Sequence, residues 1–322
     1  MNTLPPLPLI DGHFLIDNSG LEKLKCPRCY QYSELNRRVP TAERAGANFG
    51  STIHRGLEAR YHVAGCEVPS DAQTAAINNE MQQWLQENPQ PEGDFRNFNH
   101  ACKVMAVYNN VYKKEHFEIL KNHEGKPIIE STFALPIGEV QNVPIIYCGK
   151  IDLGIKDNNG VWSFDHKTTF QFGDTFDKQM NMDGGQLGYC WALGQTVGIK
   201  PQGYIIDAIR VRRPKKSDEF SEISCVDGTD FKRTPYYVSQ DMLDEWKNDV
   251  LNLVADIFHY HDRSYFPRHR WQCTNKYGMC DYYDVCSTVR EQRDQILNGS
   301  LFEENKWSKG LKLENNEKKD SL

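Results

Sequence analysis

The sequence predicts an α/β fold in which a central mixed β-sheet is flanked by helices. Three observations carry this. Runs rich in β-branched and aromatic residues at 128–137, 147–169 and 202–213 have strand character. Apolar stripes at 48–64 and 240–261 recur at helical spacing, and a mostly helical stretch over 70–125 is inserted before the strands begin.

The 322 residues, 39% hydrophobic and 25% charged, describe a soluble globular protein of one large or two smaller domains with a real core. No run approaches the roughly 18 apolar residues of a membrane span. Met1 to Ile10 lacks the basic start and apolar stretch of a signal peptide, so the expected location is cytoplasmic, with no membrane partner. A formal net charge of −6 argues against a global electrostatic grip on nucleic acid and leaves phosphate binding to a local patch. Ten cysteines without an export signal suggest thiols or metal ligands in place of a disulfide framework.

Residues 1–20 read as a loop rich in proline and glycine. Cys26-Pro27-Arg28-Cys29 then opens a helix carrying Tyr30, Tyr32 and Leu35. A C-x-x-C is a redox pair, half a metal site or two buried small residues, and the lack of a surrounding βαβ pattern weakens the first reading. In the 48–64 helix, Ile53, Leu57, Tyr61 and Ala64 form the stripe and Gly65 is the stop signal. His54 sits at the edge of that stripe, either as a structural histidine or as a ligand. Ser70 and Gln73 predict a capping box, and nothing in the helical insertion points to chemistry.

A strand at 128–137 leads into the central hairpin. Glu130 on it is either a further carboxylate for the hairpin site or a strand-edge charge. The hairpin runs from Tyr147-Cys148-Gly149-Lys150-Ile151-Asp152 through the turn Asn158-Asn159-Gly160 to Phe164-Asp165-His166-Lys167-Thr168. Residues two apart on a strand share a face, so Asp165 and Lys167 project together and His166 points away. The facing strand can bring Asp152 towards them. Two carboxylates and an ammonium among apolar neighbours need a user, and a hard divalent cation such as Mg²⁺ is the usual one. The alternative is a set of solvated charges on the open face of a hairpin.

Gln171 to Lys178 reads as a polar loop, and the helix after it carries Gln186 and Tyr189 on one face. These either approach the strands as functional groups or are a core tyrosine and a surface glutamine. The strand at 202–213 ends in Arg210, Arg212, Arg213, Lys215 and Lys216, which offer phosphate contacts or a solvated strand end. A mixed-charge loop, a short strand near 235–238 and the helix over 240–261 follow. Cys273, Cys280 and Cys286 form C-x6-C-x5-C, a spacing that points to Zn²⁺ or an iron-sulfur cluster with a fourth thiolate from Cys26 or Cys29. The predicted organisation is an N-terminal segment (1–69), the helical insertion (70–127), a core (128–262), a cysteine region (263–294) and a frayed tail (295–322).

In this order, His54 on a helix, Gly149-Lys150-Ile151-Asp152, Asp165-His166-Lys167-Thr168 and Gln186 to Tyr189 resemble the successive motifs of the PD-(D/E)XK nuclease superfamily, RecB-like branch. One early and three late cysteines around them resemble its iron-sulfur members: AddB, the nuclease of CRISPR adaptation and similar phage exonucleases. The resemblance implies a restriction-endonuclease-like core. It implies metal ligation by His54, Asp152 and Asp165, with His166 as a further candidate, and Lys167 as the catalytic lysine. Gln186 and Tyr189 would orient substrate, and Cys26, Cys273, Cys280 and Cys286 would hold a [4Fe-4S] cluster joining the N- and C-terminal parts, with zinc as the alternative. Three features depart from the pattern: Q-x-x-Y replaces the commoner Q-x-x-x-Y, C-x6-C replaces C-x-x-C, and Cys29 is an extra thiol.

The expected function is that of a Mg²⁺- or Mn²⁺-dependent deoxyribonuclease, an exonuclease acting on single-stranded or duplex DNA ends. Its setting would be recombination, repair, replication or phage DNA processing, with room for a helicase or recombination partner and for an oligomer. The competing expectation is a catalytically silent or partner-dependent nucleic-acid-binding subunit.

Overall fold

The computed structural model describes residues 4–41, 45–213, 226–275 and 278–305. From the N-terminus, β1 (Leu9–Ile10), β2 (His13–Ile16), α1 (Asn18–Lys23), α2 (Pro27–Tyr30) and β3 (Arg38–Pro40) precede the long α3 (Ala45–Ala64). Next come α4 (Asp71–Glu87), α5 (Phe98–Val111) and β4 (Glu118–Ile119), then the long strands β5 (Ile129–Val140), β6 (Val143–Asp157) and β7 (Gly160–Thr169). After them run α6 (Asp174–Asn181), α7 (Gly184–Val197), β8 (Gly203–Arg210), β9 (Phe231–Tyr237) and α8 (Gln240–Asp262). The chain closes with β10 (Thr274–Asn275), β11 (Gly278–Met279), α9 (Tyr283–Ser287), α10 (Arg293–Leu297) and β12 (Phe302–Glu304). The result is an α/β fold with a mixed central sheet flanked by helices. No helix among the described residues is long and apolar enough to cross a membrane.

The chain divides into two units, the first made of Met1–Ala42, Thr132–Gly149 and Asp244–Leu322. Here β1 pairs antiparallel with β2, and β2 runs parallel to β6 through Phe14↔Ile145 and Ile16↔Tyr147. These strands correct the expectation of a loop over 1–20. Phe14, Leu15 and Ile16 are all buried, so the last three residues of this short strand form an apolar run with no alternation in the sequence. β5 turns into β6 at Gln141-Asn142, whose φ values of 51° and 64° suit a two-residue hairpin turn. Phe258 of α8 meets Phe14 edge-on at 5.1 Å, and Trp246 meets Tyr147 in the same way at 5.1 Å.

The N- and C-terminal parts of this unit are tied by backbone and rings. β12 pairs antiparallel with β3, Arg28 Nε donates to the Phe266 carbonyl at 2.8 Å, and Tyr282 Oη donates to the Arg38 carbonyl at 2.6 Å. Tyr32, Tyr282, Val285, Leu297 and Phe302 form a small core there. The predicted tail is therefore ordered through Phe302–Glu304, and residues 306–322 lie outside the described ones.

The second unit comprises Glu43–Ser131 and Lys150–Leu243. In it β4 and β7 both pair antiparallel with residues 150–157 of β6, β8 runs parallel to β7, and β9 runs antiparallel to β8. The stretch expected to be helical holds α4 and α5, and the capping box forms, with Ser70 Oγ accepting from Gln73 N–H and Gln73 Oε1 from Ser70 N–H. Residues 112–127 are not helical as expected; β4 adds to the sheet edge there. The loop expected over 171–178 is occupied largely by α6, whose residues are all at least partly exposed and so give no apolar stripe. Phe49, Ile53 and Leu57 of α3 pack with Ile77, Met81 and Met105 in one core, while Tyr61, Leu153, Trp162 and Phe164 form another under the same helix.

Candidate metal centre

α3 delivers His54 to the sheet because the helix comes close to β7 one turn earlier. A Cβ on Gly50 would stand 2.9 Å from Thr168 Oγ1, so the glycine permits the approach. His54 Nδ1 then lies 3.4 Å from Asp152 Oδ2 and 3.6 Å from Glu130 Oε1. One ligand atom from each of His54, Glu130 and Asp152 falls within 4.8 Å of the others, the one such group among the described residues. The group opens into a cleft of about 370 Å³.

Glu130 reaches the group through unusual backbone. Its φ is 45°, in the left-handed region that a non-glycine residue occupies at a cost of roughly 1–3 kcal/mol. Strain of this size persists where its surroundings hold it, and here the Glu130 carboxylate is paired with Lys150 as well as facing His54.

Asp165 stands beside this group. Its carboxylate is buried and held by Lys167 Nζ at 2.8 Å. Strand alternation thus places Asp165 and Lys167 on a common face, as expected. His166 projects the other way: its ring is buried, its Nδ1 lies 2.8 Å from Asp207 Oδ2, and the ring stacks on Tyr61 at 5.8 Å. His166 lies outside the His54–Glu130–Asp152 group, and its ring meets Asp207 through Nδ1. Its backbone N–H nevertheless donates to Asp152 Oδ2 at 3.0 Å and orients that carboxylate.

The charged groups of the site shift one another strongly: against its burial, His54 and Lys150 hold the Glu130 carboxyl down at about 2. Burial raises the Asp152 carboxyl above the usual carboxylate range, and the neighbouring Asp165 and Glu130 raise it further. Burial would lower His54, but Asp152, Glu130 and Asp165 outweigh it and hold the imidazole up at about 9. Burial likewise opposes charge on Lys167, yet Asp165 and Asp152 keep its ammonium protonated beyond the ordinary lysine range. A nitrogen and two carboxylates suit Mg²⁺ or Mn²⁺, whose charge would relieve this repulsion. The donor set fits such an ion.

Gln186 on α7 is buried, and its Oε1 has no hydrogen-bond partner. Tyr189, one turn on, contributes to the field at Lys167. On the face of the sheet covered by α3 lies a network the sequence did not reveal. Asp207 on β8 accepts from Tyr108 Oη at 2.7 Å and Arg233 Nε at 3.1 Å, besides His166. Arg233 also clamps Glu115 at 2.6 and 2.9 Å. These partners come from separate elements, and no local spacing connects them.

The basic strand end differs from its expected role. Arg210 Nε donates to Asp230 Oδ1 at 2.7 Å, and Arg212 Nη2 reaches Asp230 at 2.5 Å and Asp227 at 2.9 Å. These guanidiniums are neutralised within the protein. The expected Lys215 and Lys216 lie outside the described residues.

In the first unit the thiols gather without forming a ligand shell. Cys29 Sγ touches Cys280 Sγ at 3.5 Å, and His269 N–H donates to Cys26 Sγ at 3.5 Å. A hydrogen bond from Cys29 outweighs burial and pulls the Cys26 thiol down to about 5, while Cys29 is pushed up as the donor. A [4Fe-4S] cluster needs four sulfurs spread around its core, each on a separate iron. Here the extra thiol, Cys29, packs against Cys280, and among the described residues no three sulfurs lie within 4.8 Å of one another to begin a zinc shell. Cys26, Cys273, Cys280 and Cys286 are therefore not positioned for the expected cluster.

A family model described as the PD-(D/E)XK nuclease superfamily matches residues 19–287. Among solved structures, a protein from Eubacterium rectale named as a putative exonuclease is similar at 13% identity, over 88% of this chain and 93% of that one, with a TM-score of 0.47. The structure of SSO0001 is similar at 12% identity, over 69% of this chain and 79% of that one, with a TM-score of 0.30. No curated protein matches. Because the family model covers most of the chain, including the elements α3, β6, β7 and α7 that carry the four expected motifs, the chain belongs to the PD-(D/E)XK nuclease superfamily.

Proposed function

We propose that this chain is a metal-dependent nuclease of the RecB-like branch that hydrolyses DNA phosphodiester bonds, working from strand ends as an exonuclease. The observation that carries the reading is the convergence of His54, Glu130 and Asp152 within 4.8 Å beside the Asp165–Lys167 pair. His54, Asp152 and Glu130 would hold Mg²⁺ or Mn²⁺, with Asp165 adjoining. When bound, the ion supplies Lewis acidity towards the phosphate and lowers the pKa of a water.

The residues of the chain do the rest. Lys167, protonated and fixed by Asp165, donates hydrogen bonds to phosphate oxygens as negative charge builds on them. The His166 backbone holds the Asp152 carboxylate in one rotation. Gln186 offers its unpartnered Oε1 to orient the attacking group, and Tyr189 lines the approach to Lys167. The fit of the reading to recombination, repair or phage DNA processing rests on the resemblance in motif order, as does a helicase or recombination partner.

The test is an assay on end-labelled linear DNA and closed circular DNA with Mg²⁺ or Mn²⁺. Linear DNA should be degraded from its ends while the circle survives, and EDTA should stop the reaction. Cleavage of the circle at the same rate would remove the exonuclease reading, and inertness towards both would remove the nuclease.

A further inference from the structure

The cleft around His54, Glu130 and Asp152 has a wall that the metal chemistry leaves unused. Trp84 of α4 and Arg55 of α3 line the same cavity of about 370 Å³. The Arg55 guanidinium lies 5.1 Å from the centroid of the Trp84 ring, and its Nη1 donates to Glu58 Oε2 at 2.9 Å, which pins it there. The indole Nε1–H of Trp84 is buried and has no hydrogen-bond partner.

We propose that Trp84 and Arg55 form a subsite for one unpaired nucleotide adjoining the scissile phosphate. The base lies against the indole–guanidinium stack, and Arg55 turns its remaining N–H groups to the neighbouring phosphate. This rests on the nuclease reading and adds to it the kind of strand that is held. An aromatic side chain takes a base onto its face only when that base is free of its pair, and it does so with little regard to sequence. The cavity is also of the size of a small-ligand site, suited to a nucleotide and too small for a duplex. Single-stranded tails are therefore preferred over blunt duplex ends, without base specificity.

The experiment measures binding by fluorescence anisotropy with Ca²⁺, using a labelled single strand and the same strand with abasic nucleotides at its terminal positions. The wild-type protein should bind the abasic strand roughly tenfold more weakly, the size of one base–aromatic stack. Trp84→Ala should bind both strands alike, and Trp84→Phe should keep most of the discrimination. Arg55→Ala should flatten the dependence of log affinity on log salt by about 0.7, the share of one single-strand phosphate. Circular dichroism shows whether each variant folds; if Trp84→Ala does not, Trp84→Phe and Arg55→Ala decide. Discrimination kept in full by Trp84→Ala, or a wild-type protein that cuts linear DNA yet binds both strands equally, overturns the subsite and leaves the nuclease standing. A wild-type protein that neither binds nor cuts overturns both.

Discussion

The backbone N–H of His166 donates to Asp152 Oδ2 at 3.0 Å, so the strand that carries Asp165 and Lys167 also sets the carboxylate on the strand facing it. The same residue's ring, on the opposite face, is anchored to Asp207 at 2.8 Å. One histidine thus links the candidate metal centre, through its backbone, to a buried network.

Lys167 is the residue whose loss should separate binding from chemistry. Lys167→Ala should slow cleavage about a hundredfold or more, as removal of a preorganised charge stabiliser does, with little change in DNA affinity. Single-turnover cleavage of linear DNA measures it. A variant that cuts at the wild-type rate would take Lys167 out of the mechanism.

Glu130 and Lys150 should act on metal affinity with opposite signs. Glu130→Gln removes one charged ligand and should weaken Mn²⁺ binding about tenfold or more, because affinity for hard cations follows ligand charge. Lys150→Met removes the ammonium paired with that carboxylate and should tighten binding. Calorimetric titration distinguishes them; equal affinities in the three proteins would place Glu130 outside the centre.

Asp207 should make stability depend on pH. Despite its burial, which favours the neutral acid, Arg233, His166 and Tyr108 hold its carboxyl at about 2. That lies below the unfolded value of roughly 3.9, so its stabilisation is fully present above the unfolded pKa and is lost as pH falls through the folded one. Asp207→Asn should cost roughly 2 kcal/mol at pH 7, and the gap to wild type should narrow between about pH 5 and pH 2. Urea unfolding across that range is the measurement. A gap that stays constant or widens towards low pH contradicts the assignment.

Arg210 and Arg212 should matter for folding more than for DNA. Both pair with Asp230, which is fully buried. Arg210→Ala with Arg212→Ala should leave the salt dependence of DNA binding nearly unchanged, yet lower the melting temperature, because Asp230 would lose its partners. A drop of about one unit or more in the salt slope would return these arginines to the phosphate-binding surface.

Local order made much of this protein legible in its sequence. The helices α3 and α8 follow from apolar residues at three- and four-residue steps, the start of α4 from its capping box, and the β6–β7 hairpin from two strand-like runs around Asn158-Asn159-Gly160. The two-residue period of a strand was enough to put Asp165 and Lys167 on one face and His166 on the other. These are short-range rules, set by backbone geometry within a few residues.

What the tertiary structure alone decided is who meets whom. Glu130 enters the candidate metal centre through a backbone conformation that its side chain does not encode. Asp230 neutralises Arg210 and Arg212 from 20 and 18 positions away, Arg233 crosses 118 positions to Glu115, and Trp84 reaches the cleft from a helix that looked inert. The cysteine spacing suggested ligands, but spacing does not fix where sulfurs end up, and Cys29 lies against Cys280. Such pairings form only when distant elements close on one another, and closure depends on the packing of the whole chain and not on any local pattern.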